Sequence, residues 1–245
     1  MAHQEYIRKV PGAETVVLFI HGFLGSPDHF KRFIELTPES FSIYNILLKG
    51  HGKEVRDFAR ASMTEWKQQV AETVSELSRN YQNIYIAAHS MGTFFAMEAA
   101  LSRQEQVKGI FLLQSPLKIG VKAMAVKNTL KCFMKKVEND EVGQAYREAH
   151  SVALNYRFWE YLGWVPRYLE LFSESKKARE TIAKIEIPCL VFQSAKDELV
   201  SPKSVCFVPR KENIKLSVLP LSAHFIYPRE ERRYLEEMFC NMIGR

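Results

Sequence analysis

Ser90 lies within the stretch Ala88-His89-Ser90-Met91-Gly92, with a small residue two positions away on each side. An apolar run at 84–87 precedes this stretch, and a helix-forming run at 94–101 follows it. A turn this sharp between strand and helix accommodates only glycine or a similarly small residue at its flanks. It exposes the serine hydroxyl beside a helix N-terminus, whose N–H groups stabilise a developing anion. The pattern predicts a nucleophilic serine; a simple helix N-cap is the alternative.

An oxyanion-binding loop is predicted upstream of this serine. The apolar, β-branched run at 15–20 is typical of a strand buried on both faces of a parallel sheet. It ends in His21-Gly22-Phe23, and the glycine lets the loop backbone approach the nucleophile. The backbone N–H groups of Phe23 and Met91 are then the expected donors to a substrate oxyanion.

The acid and base are predicted downstream, each just after a strand. Asp197 follows the apolar run 188–193, and His224 follows the alternating run 214–219. Serine, aspartate and histidine in this chain order match a triad in which histidine takes the serine proton and aspartate orients the imidazole. Glu198 is the alternative acid. The remaining histidines of these motifs, His21, His51 and His89, are interpreted as structural, with local packing or hydrogen bonding expected for His89.

The alternation of strand and helix predicts an α/β fold with a mainly parallel, doubly wound sheet in a single domain, 1–245. The expected strands are 5–10, 15–20, 42–48, 84–87, 107–113, 188–193 and 214–219, and the expected helices include 27–36, 64–79 and 228–242. Alternation stops over 114–184, where the sequence is helix-like and rich in aromatic residues. This insertion begins at the carboxyl end of a central strand, where ligands bind in such sheets. It therefore predicts a helical cap over the site.

With these residues in place, the chain resembles the α/β-hydrolase family, and within it small bacterial carboxylesterases and monoacylglycerol-lipase-like enzymes. The residues that carry the resemblance lie at 21–23, 50–52, 88–92, 196–198 and 223–224. The resemblance implies the α/β-hydrolase fold, a Ser90–His224–Asp197 triad, an oxyanion hole from Phe23 and Met91, and ester hydrolysis through an acyl-enzyme. That chemistry requires no metal and no organic cofactor.

The expected substrate is an uncharged ester with a short-to-medium acyl chain. Phe23, Leu24 and the run 94–96 are apolar and contain no arginine to pair with a carboxylate. A thioesterase with the same triad remains open, as does a lyase of the menaquinone pathway, whose loop resembles 21–26. A non-catalytic hydrolase-like binding protein is the alternative from another class, and an intact triad argues against it.

Composition and motifs restrict the class of protein and the partners that we expect. The chain has 245 residues, of which 47% are hydrophobic and 25% charged, with a net charge of +6, as in ordinary globular proteins. It shows neither an apolar run of ~20 residues nor a nucleic-acid-binding motif, so we expect no stable membrane insertion and no nucleic-acid partner. The N-terminus lacks a signal-peptide layout and the four cysteines are scattered, which favours the cytoplasm. The lysines of 118–136 are expected on a solvated helix face; attraction of anionic substrates or lipid is the alternative. Oligomeric state stays open.

Overall fold

A seven-stranded sheet, parallel except at one edge, forms the centre of the structure. The structure is a computed structural model and describes residues 3–122 and 150–245. The sheet order is β1-β3-β2-β4-β5-β6-β7, and β1 pairs antiparallel to β3 while the other neighbouring pairs are parallel. The predicted α/β fold with a mainly parallel sheet is confirmed. The strands are β1 (Tyr6–Arg8), β2 (Thr15–Ile20), β3 (Ser42–Ile46), β4 (Asn83–His89), β5 (Val107–Leu113), β6 (Cys189–Ser194) and β7 (Ile214–Leu219).

Helices cover both faces of this sheet. In the described ranges they are α1 (Lys31–Leu36), α2 (Val55–Arg60), α3 (Met63–Asn80), α4 (Gly92–Ser102), α5 (Val165–Ala183) and α6 (Arg229–Ile243). Short 3₁₀ helices lie at Pro27–Phe30, Phe158–Trp164 and Pro202–Phe207. The sequence did not predict α2, because six residues are too few to establish a helical period. No helix within 3–122 and 150–245 is long and apolar enough to cross a bilayer.

The core is divided by the sheet into two clusters of buried side chains. In β2, Val16 and Leu18 pack on the same side as α3, α4 and α5, whereas Val17 and Phe19 pack on the side of α1 and α6. All four side chains are fully buried. A strand covered on both faces has no solvent side, so its sequence is continuously apolar rather than alternating.

The region predicted as a cap is described only in part. Residues 123–149 lie outside the described residues, and with them Cys132 and most of the predicted lysine face. The described remainder contains the 3₁₀ helix Phe158–Trp164 and α5. Arg167 Nη1 of α5 donates 3.1 Å to the Ala59 carbonyl, and Trp164 Nε1 donates 3.0 Å to the Val55 carbonyl. These bonds attach α5 and its preceding 3₁₀ turn to the sheet domain.

Candidate active site

Ser90 lies at the strained turn between β4 and α4. Its φ is +51°, in the left-handed region that non-glycine residues rarely adopt. The Ser90 N–H donates to the Leu113 carbonyl at 2.8 Å, and both the N–H and the hydroxyl of Thr93 donate to the Ser90 carbonyl. A Cβ at Gly92 would lie 2.4 Å from the Ile20 carbonyl oxygen, so only glycine fits there. Close backbone packing thus enforces the strained turn around Ser90.

Asp197 and His224 form a buried pair at the same edge of the sheet. His224 Nδ1 lies 2.8 Å from Asp197 Oδ2, and the side chains are 2% and 1% exposed. The second carboxylate oxygen, Oδ1, accepts from the N–H groups of Leu199 at 2.8 Å and Val200 at 2.7 Å. These bonds fix the carboxylate, which in turn fixes the proton on Nδ1 and leaves the Nε2 lone pair of His224 available.

Glu198 is also buried, but it contacts a different part of His224. Its Oε2 accepts from the His224 backbone N–H at 3.3 Å, whereas Asp197 contacts the imidazole. Lys122 bonds to both residues through their backbones: its N–H donates 2.8 Å to the Glu198 carbonyl, and its Nζ donates to the Asp197 carbonyl. Geometry therefore separates the two neighbouring carboxylates, which sequence alone left as alternatives.

The Ser90 turn and the Asp197–His224 pair meet through His89. The His89 ring centroid lies 4.7 Å from that of His224, and His89 directly precedes Ser90. Both Ser90 and His224 are described, and no hydrogen bond joins the Ser90 hydroxyl to the His224 ring. In ligand-free enzymes such bonds are often long and tighten only when substrate binds.

His21 shapes the loop that faces Ser90. Its Nε2 accepts from the Leu48 N–H at 3.0 Å, so its Nδ1 carries the proton and donates to the Gly22 carbonyl at 3.0 Å. The Gly25 N–H donates to the same carbonyl at 2.9 Å. Burial lowers the pKa of His21 from 6.5 to about 4, which keeps the ring neutral in this tautomer. A Cβ at Gly22 would lie 2.7 Å from Ser90 Cβ, so the loop touches the nucleophile turn.

The predicted oxyanion donors lie on the two sides of this contact. Among the described residues, neither the Phe23 nor the Met91 N–H has an acceptor. The Phe23 ring centroid lies 5.0 Å from that of Phe58, edge-on, and 4.9 Å from that of Tyr168 of α5, at an interplanar angle of 47°. The region predicted as a cap therefore contacts the loop directly.

Two features of the site differ from what the sequence suggested. Phe94 and Phe95 are 2% and 1% exposed and belong to the core under α4, so they carry no information about an open substrate pocket. His89 packs as expected, but its hydrogen bond is not local in sequence: Nε2 contacts the His224 carbonyl at 3.1 Å, 135 residues along the chain. The sequence reasoning also missed His29, whose ring lies 4.0 Å from that of His89. No spacing signal identifies His29, because the contact joins the 3₁₀ helix Pro27–Phe30 to the end of β4, 60 residues along the chain.

A family model, a curated relative and a solved structure each match this chain over most of its length. A family model described as serine aminopeptidase, S33, matches residues 11–224. The thermostable monoacylglycerol lipase of Bacillus sp. (strain H-257) is 23% identical over 194 residues, covering 76% of this chain and 72% of the lipase. A solved structure from work on the metagenome-derived lipolytic enzymes LipS and LipT has a TM-score of 0.73 at 17% identity and covers 100% of this chain and 98% of its own.

Another relative is the dihydrolipoyllysine-residue acetyltransferase component of the acetoin cleaving system of Cupriavidus necator, 30% identical over 115 residues. The match covers 47% of this chain but only 30% of that relative. The structural likeness shows the fold, and the family model extends over most of the chain and through every predicted site residue. The chain therefore belongs to the α/β-hydrolase family described as serine aminopeptidase, S33.

Proposed function

We propose that this chain is a serine hydrolase that cleaves carboxylic esters with uncharged, short-to-medium acyl chains. In this proposal Ser90 is the nucleophile, His224 the general base and Asp197 the group that orients the base. The observation that carries it is the buried His224–Asp197 pair, 2.8 Å between Nδ1 and Oδ2, at the sheet edge where Ser90 occupies a left-handed turn. The match to a lipase relative supports an ester as the substrate.

The reaction begins with proton transfer from the serine hydroxyl. His224 Nε2 accepts the proton of Ser90 as the oxygen attacks the ester carbonyl carbon. Asp197 stabilises the resulting imidazolium through the bond to Nδ1, because its carboxylate is already held by two backbone N–H groups. The imidazolium then protonates the departing alcohol, which leaves an acyl group on Ser90. Water then attacks the acyl carbon while His224 Nε2 accepts its proton. The bond between the acyl carbon and Ser90 Oγ breaks, the imidazolium returns the proton to Oγ, and the carboxylic acid leaves.

The negative charge of each tetrahedral intermediate develops on the former carbonyl oxygen. The N–H groups of Phe23 and Met91 are assigned as its donors, one from the loop and one from the start of α4. Removing a single donor of this kind typically costs ~3–4 kcal/mol of transition-state stabilisation. The rigid Gly22 carbonyl, which accepts two hydrogen bonds, holds the loop at the required distance.

The acyl preference is assigned to the cap, residues 114–184. Tyr168 of α5 contacts Phe23 of the oxyanion loop, so apolar side chains of the cap begin at the site itself. Burying an unpaired carboxylate against such side chains costs several kcal/mol, whereas each buried methylene contributes ~0.8 kcal/mol. The exposed apolar side chains of this part of the cap are Tyr156, Phe158, Trp159, Leu162, Val165, Tyr168, Leu169 and Phe172.

The test combines active-site labelling with a substrate series. A fluorophosphonate probe is expected to modify Ser90 and no other residue. Ser90→Ala should lose labelling and at least ~10⁴-fold of the turnover with an unchanged unfolding temperature, because the hydroxyl contributes little to packing. A tenth of the wild-type rate in this variant would require a different nucleophile.

Substrate class is read from kcat/KM for p-nitrophenyl esters from acetate to palmitate. We expect the value to rise over the first added methylenes and then fall. Matched thioesters, a succinyl hemiester and aminoacyl p-nitroanilides serve as comparison substrates. Preference for the thioester would assign a thioesterase, preference for the hemiester would overturn the uncharged-acyl assignment, and preference for the anilides would indicate a peptidase. Absence of turnover and labelling would leave a non-catalytic binding protein.

A further inference from the structure

His89 has a polar contact that the catalytic scheme does not use. Its Nε2 lies 3.1 Å from the backbone carbonyl oxygen of His224. A carbonyl only accepts hydrogen bonds, so Nε2 carries the proton and the other nitrogen, Nδ1, is unprotonated. Residue 89 is buried, and it is bonded covalently to the nucleophile Ser90. The contact therefore ties the nucleophile turn directly to the backbone of the base.

The backbone of His224 is held from both sides. Its N–H donates to Glu198 Oε2 at 3.3 Å, and its carbonyl accepts from His89. Glu198 adjoins Asp197 in sequence as His89 adjoins Ser90. The residue after Asp197 and the residue before Ser90 therefore both hold the backbone of His224. The imidazole is anchored separately, by Asp197.

The rest of the His89 ring is enclosed by parts of the site. The His29 ring lies 4.0 Å away at an interplanar angle of 34°, and the Phe225 ring lies 5.5 Å away. His89 Nδ1 is 3.4 Å from the position that a Cβ at Gly22 would occupy, so the ring also borders the oxyanion loop. This enclosure restricts the ring to the orientation that reaches the His224 carbonyl.

The enclosure also keeps His89 uncharged. Burial lowers its pKa well below 6.5, and the titratable groups facing it, His29, His21 and His224, lower the pKa further when protonated. A second cation beside His224 would oppose formation of the imidazolium during catalysis. A neutral donor fixes the base without that penalty.

We propose that His89 is a positioning residue, which sets the separation between Ser90 Oγ and His224 Nε2 by donating from Nε2 to the His224 carbonyl. The inference rests on the proposed function, because the separation matters only if these two groups exchange a proton. Ser90 Oγ and His224 Nε2, both among the described residues, are not joined by a hydrogen bond, so their approach depends on groups that restrain the surrounding backbone.

The test compares His89→Gln with His89→Met in the full-length protein. Glutamine can place an amide N–H near the position of Nε2, whereas methionine has a similar length and no donor. Steady-state kinetics with a p-nitrophenyl ester give kcat and KM separately, and thermal unfolding reports the fold. We expect methionine to lower kcat roughly tenfold with KM unchanged, the usual size for one lost hydrogen bond felt in the transition state. Glutamine should recover most of that loss.

The same comparison of variants can also overturn the positioning role of His89. Equal kcat in both variants, whether both match the wild type or both are slow, would overturn the positioning role, because the donor would then make no difference. Should the methionine variant not fold, His89→Phe replaces it, since it keeps a ring and lacks the donor. If wild-type protein shows no Ser90 labelling and no ester turnover, the proposed function itself fails, which is a result separate from any comparison of these variants.

Discussion

We expect the free energy of unfolding to fall at acid pH, and the depressed pKa values of several histidines give the size of this loss. His21 is fully buried and His29 is partly exposed with its ring nitrogen Nε2 buried, and desolvation lowers their pKa values from 6.5 to about 4 and about 3. His29 also has a ring nitrogen, Nε2, without a hydrogen-bond partner in the described structure. The unfolded chain binds a proton at each of these histidines near pH 6.5, whereas the folded chain does not, so protonation favours unfolding.

The sign and size of the pH-dependent loss of stability follow from these pKa values. A histidine with a depressed folded pKa contributes its full stability above the unfolded pKa of 6.5 and loses it as the pH falls toward the folded value. Lowering the pH from about 7.5 to about 5 then costs roughly 2 kcal/mol for each of the two histidines. His51 and His89, whose pKa values are also depressed by burial, add to the loss in the same direction.

Urea unfolding at the two pH values measures this loss, and His29→Phe isolates one contribution. Phenylalanine keeps the aromatic contacts with Phe30, His89 and Tyr227 and removes both the titratable group and the unpartnered nitrogen. The pH-dependent loss should shrink by about 2 kcal/mol relative to the wild type. A His29→Phe variant with the same pH dependence as the wild type would refute the argument, as would wild-type stability that rises toward acid pH.

Two further predictions concern the site geometry. Asp197→Asn should reduce kcat by about 10⁴-fold by favouring the wrong His224 tautomer, whereas Glu198→Gln should be much milder because Glu198 bonds to the backbone of His224 and not to its imidazole; a larger effect of Glu198→Gln in the same ester assay would reverse the assignment. Gly22→Ala should abolish labelling of Ser90, since its Cβ would lie 2.7 Å from Ser90 Cβ. Gly12→Ala is the control: Gly12 has open space around it, so no steric clash arises, and its positive φ, +74°, adds only strain of about 1 kcal/mol, so labelling should be normal.

Part of the fold and of the candidate site could be predicted from the sequence, because the relevant signals are local. The strand and helix of the Ser90 turn, the buried run of β2 and the alternation of elements all follow from hydrophobic periodicity. The small residues around Ser90 report a steric requirement of the turn, and the structure shows its cause at Gly92, where backbone carbonyls leave no room for a Cβ. Chain order was enough to nominate Asp197 and His224, because residues after parallel strands gather at one sheet edge.

Other features depend on contacts between distant parts of the chain, which no local pattern encodes. Asp197 and Glu198 differ in a way that only the folded chain shows, because Asp197 contacts the imidazole of His224 and Glu198 contacts its backbone. Similarly, the neutral state of His21 depends on a hydrogen bond from Leu48 together with complete burial. The helical period likewise missed α2, which is too short to show one.

By itself the sequence determined the α/β architecture and the candidate nucleophile, acid, base and oxyanion loop, since each depends on residue types within one element or just beyond it. Only the tertiary structure decided how His224 is held. Its backbone is bound by Glu198 and His89, and His89 packs in turn against His29 of the 3₁₀ helix Pro27–Phe30. Hydrogen-bond partners and burial are properties of residues brought together by folding, so they are defined only once the sheet edge is assembled.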